Sequence, residues 1–96
     1  MPKPAQVLFA NQTTNGDSAE VDIVLREYSL IRVYGTFDGC TVSCFADFDN
    51  SGTYCAIVDG VWTADDVKQI YLKPNVKIKL TLASAGGSTD ISAEVI

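Results

Sequence analysis

Turn-forming pairs interrupt this chain at short intervals: Asn15-Gly16, Asp38-Gly39, Asn50-Ser51-Gly52, Asp59-Gly60, Pro74-Asn75 and Gly86-Gly87. The runs between them are rich in Val, Ile, Thr, Tyr and Phe and alternate apolar with polar residues, so each has the length and one-sided character of a strand. No run carries a helical repeat beyond a single turn at residues 63–67, which is too short to persist alone. With 96 residues, 47% hydrophobic and 20% charged, the chain has material for one core. The pattern predicts one all-β domain over residues 1–96, an antiparallel β-sandwich of Greek-key or jelly-roll type with about seven to eight strands. Residues 1–6 read as an extended N-terminal arm, because Pro2 and Pro4 cannot donate to a central ladder.

Register sharpens this expectation, since a turn fixes which residues oppose each other and alternation fixes their faces. A hairpin at Asp38-Gly39 sets Phe37 against Cys40, Val33 against Cys44 and Ile31 against Ala46. It also sends Arg32, Tyr34, Thr41 and Ser43 to the opposite face. A hairpin at Asp59-Gly60 pairs Ile57 with Trp62. A longer connection at residues 84–89 pairs Leu82 with Ile91, Leu80 with Ala93 and Ile78 with Val95, with Lys79 facing Glu94 on the solvent side. At Pro74-Asn75 a two-residue turn sets Ile70 and Leu72 against lysines, so this connection reads as a crossing between sheets.

Charge and composition exclude several classes of function. A net charge of −5, with only Lys77 and Lys79 near one another, lacks the basic footprint of a nucleic-acid binder. No stretch reaches the length of a membrane span, and Met1-Pro2-Lys3-Pro4 does not lead into a signal-peptide core, so the expectation is a protein that stays where it is made. The absence of histidine removes the commonest general base and the Ser-His and Cys-His nucleophiles. The chain therefore reads as a non-enzyme without cofactor or small-molecule substrate.

The sharpest motif is Asp47-Phe48-Asp49-Asn50-Ser51-Gly52, whose alternating oxygens match the first half of a calcium loop with Asp47, Asp49 and Ser51 as ligands. Position twelve of such a loop is Val58, where a bidentate Glu belongs, so the motif reads first as a hairpin tip built for turn geometry. Cys44 and Cys55 flank the tip with the parity to share a face, but thiols without histidine make a poor zinc set. Cys40, Cys44 and Cys55 are accordingly expected as small core hydrophobes. Tyr28, Tyr34, Tyr54, Trp62 and Tyr71 could furnish a carbohydrate- or protein-binding face or serve packing alone. Pro2, Lys3 and Pro4 are the arm residues expected to meet a partner.

The run Gly35-Thr36-Phe37-Asp38-Gly39-Cys40-Thr41-Val42, the Asp49-Asn50-Ser51-Gly52 tip, the Asp59-Gly60 turn with its Trp, the Val76-Lys77-Ile78-Lys79-Leu80 strand and the closing Ser88-Thr89-Asp90-Ile91 follow one another in a familiar order. Together they resemble the small β-sandwich virion proteins of tailed bacteriophages, over about two-thirds of the chain. The departures are Cys40 and Cys44, where Ala and aliphatic residues are usual, and Asp47-Phe48-Asp49, where a Ser-Pro-Asp tip is usual. The resemblance implies a capsid decoration or cement protein, made in the host cytoplasm and carried in the virion, homo-oligomeric and bound to the major capsid protein. A neck, tail or fibre module and a carbohydrate- or host-surface-binding sandwich are the alternatives. Multivalent attachment at many equivalent sites lets modest single contacts suffice in such a role.

Overall fold

The computed structural model describes residues 6–18, 20–23, 28–47, 51–71 and 76–95. Among the described residues nine strands are formed: β1 (Gln6–Gln12), β2 (Gly16–Asp17), β3 (Val21–Ile23), β4 (Tyr28–Thr36), β5 (Thr41–Asp47), β6 (Cys55–Trp62), β7 (Asp66–Tyr71), β8 (Val76–Ala83) and β9 (Asp90–Val95). One sheet has the order β1-β9-β4-β7, and the other runs β2-β8-β5-β6 with β3 also on β8. All pairings are antiparallel.

β2 and β3 are two pieces of one edge strand, pairing β8 at Gly16↔Leu82 and Asp17↔Thr81, then at Val21↔Ile78 through Ile23↔Val76. Ser18 bridges them: its N–H donates to Leu80 O at 2.7 Å and its Oγ accepts from Leu80 N–H at 2.8 Å. Counted so, eight strands stand in the orders 1-8-3-6 and 2-7-4-5, the arrangement made when one long hairpin is rolled up. The fold is a jelly roll.

This topology corrects the expected hairpins. β4 and β5 belong to opposite sheets, and so do β8 and β9. Asp38 and Gly39 do form a tight turn, with φ of 47° and 82° and a Cys40 N–H to Phe37 O bond of 2.9 Å. Beyond that closing pair the strands part into the two sheets, and Ile31, Val33, Cys44 and Ala46 are all buried in the one core. Asp59-Gly60 is no hairpin either; it lies inside β6, where residues 57–60 bulge between the pairs Ser43↔Val61 and Phe45↔Ala56. Trp62 is therefore in register with Val42, not with Ile57. The crossing expected at Pro74-Asn75 falls outside the described residues, but its flanking strands β7 and β8 lie in different sheets.

The inward faces are those the alternation predicts. Ile31, Val33, Val42, Cys44, Ala46, Ile78, Leu80, Leu82, Ile91, Ala93 and Val95 are all buried, together with Trp62 and Phe9. Each such aliphatic side chain contributes about 1.5–3 kcal/mol relative to exposure. Lys79 and Glu94, expected to face each other, have other partners: Lys79 Nζ meets Asp17 at 3.0 Å and Arg32 meets Glu94 at 3.4 Å.

Four connections gather at one end of the sandwich, and side chains of one hold the backbone of another. Asp38 Oδ2 accepts from Ser88 N–H at 2.8 Å, Asn15 Oδ1 from Ala85 N–H at 2.8 Å, and Asp65 Oδ1 from Gly35 N–H at 3.0 Å. Thr89, only 3% exposed, donates through Oγ1 to Phe37 O at 2.9 Å and accepts there from Gly86 N–H at 2.8 Å. Gly35 and Gly86 allow the close approach: a Cβ on Gly35 would collide with Asp90 O, and one on Gly86 with the Asp38 carboxylate. Gly35 also holds φ +130°, a region that side chains rarely adopt.

Candidate functional site

The residues singled out from the sequence go to three different places. Asp47, at the end of β5, is 2% exposed, and its two carboxylate oxygens accept from Ser51 N–H at 3.1 Å and Gly52 N–H at 2.8 Å. That is the geometry of a loop tether: an acceptor satisfies the orphan donors of the tip. Ser51 turns its own Oγ towards Thr53 N–H at 3.3 Å. Asp49 lies outside the described residues, as do the arm residues Pro2, Lys3 and Pro4. Among the described residues no group of three or more His, Cys, Asp or Glu is placed to hold a metal ion.

The cysteines divide. Cys40 and Cys44 are buried, as expected, but Cys55 is exposed on the edge strand β6, and all three are free thiols. Cys55 pairs across the ladder with Ala46, which has the parity of Cys44, so the expected shared parity holds, but Cys55 is exposed where Cys44 is buried. Burial pushes the Cys44 thiol up to about 12, and desolvation likewise raises Cys40 above its ordinary value. Neither is a thiolate at neutral pH, so neither is a nucleophile or a ready metal ligand.

The aromatic residues do not form one platform. Trp62, at 1% exposure, belongs to the core and is removed from any stacking surface. Tyr34 sits on the outer face of the β1-β9-β4-β7 sheet under the Arg32 guanidinium, 4.1 Å from its ring centre, and Arg32 in turn meets Glu94. Tyr54 lies by the outer face of the other sheet, with Lys79 Nζ 4.5 Å from its ring centre and its hydroxyl 2.7 Å from Glu20. Lys79 continues this chain to Asp17, which also accepts from Thr81 Oγ1 at 2.7 Å. The Thr81 and Lys79 hydrogen bonds hold the Asp17 carboxyl below its usual range. Tyr34 and Tyr54 are thus each held in a polar cluster, one on each outer face. Tyr28 and Tyr71 are paired through their backbones across β4 and β7.

Sequence reasoning missed the side of the molecule where β6 and β7 adjoin. There a small cleft of about 130 Å³ is lined by residues 61–66 and Lys68. Trp62 lines it from beneath, its Nε1 buried with no hydrogen-bond partner, and Lys68 Nζ stands 5.9 Å from the indole. Val61 in its lining is 47% exposed, and so is Val67 on the opposite parity of β7 from Asp66 and Lys68. The only signal in the sequence was the apolar residue on the solvent parity of each strand, Val61 before Trp62 and Val67 between Asp66 and Lys68.

No protein family, curated protein or solved structure matches this chain.

Proposed function

We propose that the chain is a structural protein of a tailed-phage virion, a capsid decoration or cement protein that binds and stabilises the major capsid shell. The observation that carries this reading is where the family-like residues lie. Gly35, Phe37, Asp38, Ser88 and Thr89 come from two of the segments that resemble small virion sandwich proteins, and all five meet in the clasped corner. A motif of this kind specifies a scaffold, which is what a protein that acts by being present on a shell has to preserve.

The polar clusters Arg32-Tyr34-Glu94 on the outer face of one sheet and Tyr54-Lys79-Asp17 on that of the other suit reversible docking before assembly. Their charges favour registry and on-rate more than strong single-site affinity, and repetition over a shell supplies the rest. The jelly roll itself supports the reading only by analogy, because this fold also serves lectins and cupins. The carbohydrate reading loses its main aromatic, Trp62, to the core.

The test is electron microscopy of virions that lack the protein. Shells that are bare at regular positions and break at lower temperature are expected; intact and fully decorated shells would remove the proposal.

A further inference from the structure

Jelly-roll sheets leave four edge strands, and three of these are visibly blunted. β1 has two register shifts against β9, the β2/β3 edge is split into short pieces, and β6 is interrupted by its bulge at residues 57–60. Such irregularities are how natural sheets prevent a further strand from pairing. β7 differs: Val33↔Asp66 to Tyr28↔Tyr71 are six consecutive pairs with no shift.

The outward hydrogen-bonding groups of β7 can be named. Gly35 N–H points to the β7 side of β4, where it meets Asp65, so by alternation Val33 and Ile31 exchange bonds with Asp66 and Lys68. The N–H and C=O of Val67 therefore face away from the sheet. Val67 N–H is capped only by the carboxylate of its own neighbour, Asp66, at 2.8 Å.

The side chains say which strand fits. Asp66 and Lys68 share the inward parity of Val33 and Ile31, and Lys68 is half-buried beside the Trp62 ring. A charge on that parity is a guard, since any added strand covers it, and covering it unpaired is costly. Only a strand with an acid opposite Lys68 is accepted.

We infer that this strand is β7 of a second copy of the chain, paired antiparallel about a two-fold axis at Val67. In that register Asp66 faces Lys68 of the second copy, Lys68 faces its Asp66, and Val67 packs on Val67. Centring on Lys68 opposes two lysines, and centring on Gln69 sets Lys68 against Ile70. The Val67 register alone answers the guard, and it does so twice, as a self-complementary interface must. It turns two four-stranded sheets into one of eight and covers the exposed Val67. On pairing, Val67 N–H passes from the Asp66 carboxylate to the carbonyl of the opposing Val67, which frees Asp66 for Lys68. The inference does not depend on the virion reading, because it concerns the purified chain alone.

The test uses the full chain with Cys55→Ser, which removes the exposed thiol. Hydrogen-bonded antiparallel partners have Cα atoms about 5.5 Å apart, within the span of a disulfide. Val67→Cys is therefore expected to give a disulfide-linked dimer on mild oxidation. Gln69→Cys places its two thiols some four residues apart along the strands, about 13 Å, and is expected not to link. In sedimentation, Asp66→Lys is expected to raise the dimer dissociation constant about tenfold or more, and adding Lys68→Asp to restore it. A chain that sediments as a monomer at every concentration overturns the inference. So does linking through Gln69→Cys in place of Val67→Cys, or a double reversal as weak as the single one.

Discussion

Thr89 Oγ1 donates to the carbonyl of Phe37 at 2.9 Å, joining the β4–β5 and β8–β9 connections across 52 residues of sequence. The same oxygen accepts from Gly86 N–H, so one buried hydroxyl satisfies two backbone groups that have left their sheets. Thr89→Val keeps the volume and leaves Gly86 N–H without its acceptor, while Phe37 O keeps the Cys40 N–H. A loss of about 1–3 kcal/mol is expected in urea unfolding, whereas Thr89→Ser, which retains the oxygen, stays within about 1 kcal/mol.

Gly35→Ala is the more severe change in the same corner. The new Cβ meets Asp90 O in the neighbouring strand, and the residue must hold φ +130° besides. A destabilisation above about 3 kcal/mol, or failure to fold, is expected. Gly87→Ala, where a Cβ meets open space, is the matched control and should remain within about 0.5 kcal/mol by thermal melting.

Asp47 tethers the β5–β6 tip through two backbone N–H groups, and this account needs no cation there. Asp47→Ala should cost about 1–3 kcal/mol by leaving those donors without their acceptor. The melting temperature of the unaltered chain should be the same in millimolar calcium and in chelator. A rise with calcium that Asp47→Ala abolishes would restore the calcium-loop reading.

The thiols give a simple solution signature. Native protein should release one equivalent with a thiol reagent at pH 8, from exposed Cys55, because Cys44 titrates only at about 12 and is buried like Cys40. Three equivalents should appear in denaturant and none in native Cys55→Ser. Native reactivity at Cys44 would mean that the core opens readily.

Much of this was legible in the sequence, and the illegible part has one cause. Alternation assigned Ile31, Val33, Val42, Cys44, Ala46 and the inward residues of β8 and β9 to the core correctly, because side-chain parity is a local property. It could not say which strands are hydrogen-bonded. A tight turn between two one-sided strands buries the same residues whether it closes a hairpin within a sheet or arches from one sheet to the other. At Asp38-Gly39 the turn was read correctly and the ladder was not. The decision lies in remote contacts such as Thr89 with Phe37 and Asp65 with Gly35. Trp62 was misplaced for a related reason: the Asp59-Gly60 signal marks a bulge that keeps β6 running, with Asp59 at φ 65°. The edge at β7 carried no motif, only an order of charges whose meaning depends on the strand being outermost.

The most direct measurement of the central claim is rebinding of the purified chain to capsids from which it has been removed. The account predicts saturable binding at a fixed number of symmetry-related sites, with a rise in the temperature at which the shell disrupts. Absence of binding, or binding that neither saturates nor stabilises the shell, would contradict it.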